Sequence, residues 1–466
     1  MTTIVREIRE QFNPAKPSQC IGQVELLTID ETKEVIVAAQ EAFEGWKNTS
    51  SVARGEILRV TADLLEKNID KVAEIASSEM GKTKNEMLGE VKRGASILRY
   101  YAQEGMRAKG EVLPSANEAK LLYTMRVPLG VVAAITPWNF PVAIPLWKIA
   151  PALVYGNTVV WKPSIESALT GKLIGELFEQ AGLPKKVLNV VQGRGSKVGQ
   201  VLLEAPEVKA ITFTGSNGVG QSILDTAGST NKKIQLELGG KNAAIILADA
   251  NLNQAAKLTI EGAMKQTGQR CTATSRVYIE EAVYEKVLEQ LIEEAKKIEV
   301  GVTMGPVSSK GQYDSILSSI EKAKVEGAEL VFGGGPTKGM IEGYYIDPTI
   351  FTNVTHEMSI AHEEIFGPVL AVIKVKDYEE AIRLSNDSNF GLSASIYTNN
   401  IPKAFDFINR SEVGLVQVND ETGGAEPQAP FGGVKNSSTG AREQGQAAKE
   451  FFTTFKTITI GTKSES

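Results

Sequence analysis

Histidine and cysteine are almost absent from this chain. Of 466 residues only two are histidine, His356 and His362, and only two are cysteine, Cys20 and Cys271. Two cysteines cannot form a disulfide framework, and they are too few for a zinc or iron–sulfur centre held by thiolates. A hydrolase that relays protons through imidazole has only those two candidates for its base. An excess of one charge is missing too. The 50 basic and 56 acidic residues leave −6, mixed along the chain with no basic block, which argues against nucleic acid or an anionic membrane as the main partner. No run approaches the roughly 18 uninterrupted apolar residues of a membrane helix. The opening Met1-Thr2-Thr3-Ile4-Val5-Arg6-Glu7 lacks the apolar core of a signal peptide, so the expected compartment is the cytoplasm.

What is present is ordinary for a globular protein, and the length calls for two or three cores. Asn13-Pro14-Ala15-Lys16-Pro17 reads as a turn and residues 20–24 as a short strand. Three amphipathic helices follow. In the first, Val35, Ala39, Ala42, Phe43 and Trp46 recur at helical spacing; the others cover 57–65 and about 85–103. Tyr100 and Tyr101 on the third either wall a pocket or pack in the core. Residues 120–126 look like a strand that leaves its domain. Val131-Val132-Ala133-Ala134-Ile135 is apolar throughout, as a strand buried on both faces should be. Strands at 158–161, 187–191 and 210–214 then alternate with helices at 147–155, 168–181 and 198–203, the pattern of a doubly wound parallel sheet. The alternation restarts after 237, with strands at 242–247, 275–279, 368–375, 394–398 and 414–418 and a helix at 283–298. Residues 451–460 alternate without a neighbour in sequence and are expected to pair with a strand of another subunit.

Two Gly-flanked turns carry candidate chemistry: Leu236-Glu237-Leu238-Gly239-Gly240-Lys241-Asn242 and Thr267-Gly268-Gln269-Arg270-Cys271-Thr272. A glutamate in apolar surroundings resists ionising and can take a proton near neutral pH. A cysteine held as thiolate is a strong nucleophile. Cys271 therefore reads as the attacking group and Glu237 as the activator of water. The alternatives are a buried structural thiol and a paired turn glutamate; polar Gln269, Arg270, Thr272 and Thr274 weigh against the first, and Arg270 would favour thiolate.

A nucleotide needs amide N–H groups at a helix start. The best candidate is the strand at 211–214 running into Gly215-Ser216-Asn217-Gly218-Val219-Gly220, where Ser216 can cap and Gly220 permits close approach. Gly193-Arg194-Gly195-Ser196-Lys197-Val198-Gly199 has one spacing too long for the dinucleotide fingerprint and reads as a loop. Lys162 and Asn139 follow buried strands, where ligands gather at the carboxyl edge of a parallel sheet. Lys162 is otherwise a solvated strand-end lysine. The Asn139 amide could meet an oxyanion; otherwise it is a turn former.

At these residues the chain resembles the NAD(P)-dependent aldehyde dehydrogenase superfamily. The glutamate and cysteine turns, Pro137-Trp138-Asn139-Phe140-Pro141, Trp161-Lys162-Pro163-Ser164, Phe213-Thr214-Gly215-Ser216, Glu363-Glu364-Ile365-Phe366-Gly367-Pro368-Val369 and Pro430-Phe431-Gly432-Gly433-Val434-Lys435 match seven family motifs in order. The resemblance implies that Cys271 is the nucleophile and Glu237 the hydrolytic base. Asn139 with the Cys271 N–H would form the oxyanion hole, and Glu443 would relay protons. It also implies that Thr136, Pro137, Trp138, Lys162, Ser164, Gly215, Ser216, Gly220, Leu238, Glu364 and Phe366 bind NAD or NADP. Trp147, Arg270 and Phe431 would meet substrate, and Arg270 can pair either a substrate carboxylate or a protein one.

The implied architecture is two doubly wound α/β domains with a small projecting β oligomerisation element. Residues 1–106 and 127–236 bind the dinucleotide, and 237–428 form the catalytic domain. Residues 107–126 and 449–466 supply oligomerisation strands, and 429–448 return to the cofactor-binding side. Family members are usually dimers or tetramers. Two departures stand out. Ile165 occupies the place where NAD-preferring members carry a glutamate, which points to acceptance of NADP. The family's opening hairpin is expected to be absent, leaving a docking surface uncovered. The Gly-Gln-Arg-Cys-Thr-Ala pattern and the tail 430–455 look most like 2-oxoglutarate semialdehyde (2,5-dioxopentanoate) dehydrogenases. Non-phosphorylating glyceraldehyde-3-phosphate, sulfolactaldehyde and succinate-semialdehyde dehydrogenases are the rivals. A CoA-acylating enzyme would not need Glu237, and a non-catalytic protein on this fold would not need Cys271, Glu237 and Asn139 together.

Overall fold

The computed structural model describes residues 6–461; residues 1–5 and 462–466, which include the loose tail expected from the sequence over Lys463 to Ser466, lie outside the described residues. Two sheets organise the chain. The first has six strands in the order Ser438–Thr439, Lys233–Glu237, Val208–Thr214, Val131–Ile135, Thr158–Lys162, Leu188–Val190. All neighbours are parallel except the first pair. Val131–Ile135 is central because it has no polar side chain to expose, and separate apolar clusters cover its two faces. The second sheet has seven strands, Glu329–Phe332, Thr349–Thr352, Val369–Val375, Thr274–Glu280, Asn242–Ile246, Ser393–Tyr397 and Leu415–Val418. It is parallel apart from Glu329–Phe332 and is likewise covered on both faces.

This topology positions the chemistry. Ile135, Lys162, Thr214 and Glu237 all end strands at the carboxyl edge of the first sheet. The turn after Glu237 carries the chain directly into Asn242–Ile246, an inner strand of the second sheet beside its central strand Thr274–Glu280. Cys271 immediately precedes that central strand.

Several expectations need correction. The opening hairpin is present: Glu7–Asn13 pairs antiparallel with Lys16–Leu26 around the turn at Pro14. Its first strand is polar and mostly exposed, so it carries no alternating apolar signal. A fourth helix, Ile69–Met80, stands between the second and third. The strand Thr453–Gly461 pairs with Lys120–Pro128 of its own chain rather than waiting for another subunit, and Val112–Leu113 adds a third strand. That pairing joins segments distant in sequence, so local reading could not see it. Tyr101 is core, its hydroxyl donating to the Gly445 carbonyl at 3.2 Å. Among the described residues no helix is long and apolar enough to cross a membrane.

Candidate active site

Cys271 is presented by a strained turn. Gln266, Thr267 and Gly268 all have positive φ (56°, 59° and 66°), a conformation that persists only where its surroundings enforce it. The Gln266 N–H donates to Glu86 at 2.7 Å, the Thr267 hydroxyl to the Gly305 carbonyl at 2.9 Å, and the Ser308 N–H to Gln269 at 3.0 Å. A Cβ on Gly268 would lie 2.1 Å from the Gly367 carbonyl oxygen. The Cys271 carbonyl accepts from Asn242 at 2.7 Å, while its own N–H has no partner among the described residues. Asn139 donates one N–H to the Gln269 carbonyl at 3.0 Å, which leaves the second amide hydrogen free.

Burial pushes the Cys271 thiol up to about 12, and the nearby Glu364 and Glu237 carboxylates add to this. Arg270 acts in the expected direction, favouring thiolate, but more weakly than burial opposes it. Arg270 takes the protein-carboxylate alternative with one nitrogen: its Nη2 is ion-paired with Glu421 at 3.2 Å and also donates to the Gly262 carbonyl, while Nε is buried without a partner.

Glu237 ends the strand Lys233–Glu237 and is 2% exposed. One oxygen accepts from the Ser438 hydroxyl at 2.6 Å; the other is unpartnered. Ser438 also accepts from the Gly433 N–H at 2.6 Å, so the hydroxyl is oriented towards the carboxylate. Burial, then the charge of Glu443, raises the Glu237 carboxyl well above the ordinary range. Glu443 is ion-paired with Lys148, which also donates to Thr212 at 2.8 Å; the second Glu443 oxygen is unpartnered. Ser438 and Lys148 escaped the sequence reading. Ser438 lies in a short polar strand, and Lys148 sits in an otherwise apolar helix, which was the one available signal.

Pro137, Trp138, Asn139, Gly215, Ser216, Leu238, Cys271, Glu364 and Phe366 line one cleft of about 270 Å³, joined by Thr214, Gly239, Gln312, Ser315 and Ile365. Lys162 and Ser164 line a second, of about 510 Å³, with Arg9, Ile165, Glu166 and the loop 193–196. Thr136 is buried beside them, its hydroxyl taken by the Trp161 indole at 2.9 Å. Gly220 packs against Leu238. Trp147 and Phe431 lie in neither cleft; their rings are 5.3 Å apart, and Phe431 is bridged to Glu443 through the backbone. Both histidines are also outside the clefts, His356 being bonded to Asp387 at 3.0 Å.

The clefts suit a dinucleotide. The helix Asn217–Ala227 starts at Ser216 without a side-chain cap, contrary to expectation, so the hydroxyl and the first amides remain available to a phosphate. Thr214 presents a buried hydroxyl without a partner. A Cβ on Gly239 would come within 2.2 Å of the Glu364 carboxylate, so only glycine leaves that group room. Glu364 accepts from the Gly240 N–H at 3.0 Å, and burial raises it to about 7. Burial likewise lowers the Lys162 ammonium, against the pull of Glu166. Phe366 is held at φ 56°, its ring edge-on to Trp138 at 5.7 Å, and Gln312 donates to its carbonyl at 3.1 Å.

The aldehyde dehydrogenase family pattern matches residues 4–458. The chain is 51% identical over 456 residues to an alpha-ketoglutaric semialdehyde dehydrogenase of Bacillus subtilis, covering 96% of this chain and 93% of that protein. It is 42% identical over 458 residues to a 2,5-dioxopentanoate dehydrogenase of Saccharolobus solfataricus, covering 97% and 95%. In structure it matches betaine aldehyde dehydrogenase of Staphylococcus aureus in complex with NAD+, with a TM-score of 0.95 and 34% identity over 99% of this chain and 92% of that one.

Proposed function

The chain belongs to the aldehyde dehydrogenase family, and from that premise we propose that it oxidises 2-oxoglutarate semialdehyde (2,5-dioxopentanoate) to 2-oxoglutarate through a thioester on Cys271. Family membership makes it an NAD(P)-dependent aldehyde oxidoreductase. The observation that carries the reading is the position of Cys271 in the same cleft as Glu364 and the open helix start at Ser216. The substrate follows the names of the two relatives.

The roles follow from the geometry. The Cys271 thiol gives its proton to water in the cleft as sulfur bonds to the carbonyl carbon. The free Asn139 amide hydrogen and the Cys271 N–H receive the alkoxide that forms. A bound nicotinamide supplies the hydride acceptor, leaving the thioester on Cys271. Glu237 then takes a proton from water with its free oxygen, Ser438 fixing the other. Its raised pKa makes it a stronger base than a surface carboxylate. Glu443, with one open oxygen, carries the proton onward. Lys162, Ser164 and Glu364 would hold the ribose hydroxyls of a bound dinucleotide, Ser216 and Gly215 its pyrophosphate, and Trp138, Leu238 and Phe366 its rings. No step uses histidine.

Acceptance of NADP is supported by Ile165, whose side chain packs by the Val24–Leu26 cluster and brings no charge, and by Arg9 and Arg194 lining the Lys162 cleft. The loop 193–199, dismissed from its spacing, thereby acquires a phosphate-facing role. Assembly into a dimer or tetramer is supported by the three-stranded sheet, which exposes Leu121, Met125, Phe455 and Ile460. A cytoplasmic location accords with this reading.

The test is a panel of short aldehydes bearing carboxylate, phosphate, sulfonate or no charge, each with NAD and NADP. The expected result is fastest turnover on 2,5-dioxopentanoate. Acyl-CoA formation in the presence of CoA, or cofactor binding without turnover on any aldehyde, sinks it.

A further inference from the structure

Among the described residues the fully buried arginines are spent on the fold, whereas the half-buried Arg93 is not. Arg54 donates to the Val154 carbonyl at 2.9 Å and to other carbonyls, Arg276 to Lys241 and Ser385 at 2.9 Å each, and Arg270 to Glu421 and Gly262. Arg93, half-buried, makes no hydrogen bond and no ion pair among the described residues, and its buried Nε–H has no partner. A guanidinium with a donor shut off from water and unpaired is costly, so an anion is the natural complement to such a site.

The surroundings of Arg93 are organised. It lies on the helix Lys84–Glu104, next to Gly94, where a Cβ would meet Leu146 at 2.9 Å and Val142 at 3.0 Å. That close crossing brings Arg93 beside the helix Ala143–Val154, its guanidinium 5.7 Å from the centre of the Trp147 ring. Glu90, one turn earlier, fixes the crossing by accepting from the Val142 and Ala143 N–H groups at 2.8 and 3.0 Å. Its other oxygen is ion-paired with Lys82 at 2.6 Å, so Glu90 is occupied and does not bond Arg93. The Trp147 indole N–H is also buried and unpartnered. Two orphan donors, one of them cationic, therefore stand together, with Phe431 against the Trp147 ring. Phe431 is followed by Gly432, where a Cβ would lie 2.6 Å from the free Glu237 oxygen, so the Arg93–Trp147–Phe431 group stands beside the base.

We propose that Arg93, with the Trp147 indole N–H, binds the carboxylate of an acidic aldehyde whose carbonyl carbon rests against Cys271. This makes Arg93 the residue that selects a carboxylate-bearing substrate, the role anticipated for Arg270. It rests on the reading of the substrate as an acidic aldehyde.

The test compares wild type, Arg93→Met and Arg93→Lys on 2,5-dioxopentanoate and 4-oxobutanoate against pentanal and butanal. In Arg93→Met, kcat/KM for the acidic aldehydes should fall ~100-fold, chiefly through KM, while the neutral aldehydes change by less than about threefold. Arg93→Lys should recover part of the loss, because the charge returns without the planar fork. Turnover of pentanal by each variant reports that it is folded. A parallel loss on acidic and neutral aldehydes, or undiminished preference for acidic ones, overturns the assignment of Arg93 alone. A wild type with no preference for acidic aldehydes overturns the substrate reading and this assignment together.

Discussion

The two sides of Cys271 are made of different materials. On the cofactor side, strand ends, glycines and backbone amides do most of the work: Gly215, Gly239, Gly240 and the open start of the helix at Ser216. On the substrate side the groups are long side chains from remote elements. Trp147 comes from one helix, Arg93 from another and Phe431 from a late loop. A dinucleotide phosphate can be met by N–H groups that any sequence of the right backbone supplies. A particular aldehyde is recognised only by side-chain chemistry. The first side can thus serve many substrates unchanged while the second varies.

The sharpest attempt to separate the two sides is Cys271→Ala. Turnover should fall by at least ~10⁴-fold, while NAD(P) binding, followed by quenching of tryptophan fluorescence, should persist. Loss of binding would mean that the thiol belongs to the cofactor side as well. Glu237→Gln should slow steady-state turnover ~10³-fold and leave a stopped-flow burst of NAD(P)H. If the burst also disappears, Glu237 acts before the hydride leaves.

The turn between the two sides can be attacked directly. Gly268→Ala places a methyl against the Gly367 carbonyl at φ 66° and should destabilise the fold by about 3 kcal/mol, read as a lower thermal midpoint. A change confined to the cofactor side is Ile165→Glu. It should cut kcat/KM for NADP roughly tenfold and leave NAD nearly unchanged; equal losses on both cofactors would remove Ile165 from the discrimination.

The smallest effect is in pH. Burial raises Glu364 to about 7, and hydroxyl donors favour its charged form. Cofactor binding should therefore tighten as pH rises through about 7 and weaken below it, by a fewfold between pH 6 and 8. Glu364→Gln should flatten this dependence in calorimetric titrations.

The same contrast governs what could be read without coordinates. The cofactor side was legible because its parts are short contiguous stretches, such as Leu238-Gly239-Gly240 and Phe213-Thr214-Gly215-Ser216, whose glycines announce a tight approach. The parallel strands were legible for a similar reason: burial on both faces leaves an unbroken apolar run at 131–135. Arg93 gave no such sign. In Glu90-Val91-Lys92-Arg93-Gly94 it resembles any arginine on the wet face of a helix, and only the crossing at Gly94 turns it inward. Arg270 left two alternatives open in the sequence because its protein partner, Glu421, is far along the chain. The hairpin at 7–26 and the pairing of 453–461 with 120–128 were invisible or misassigned because polar, exposed strands carry little pattern.

The groups that support the base are encoded late. Cys271 emerges from the ribosome before Ser438 or Glu443 has been translated. A nascent chain arrested between them holds the sulfur but neither the hydroxyl that orients Glu237 nor the carboxylate that raises its affinity for protons. The proposed base is therefore complete only after translation has passed these residues and the late segment has folded against Glu237.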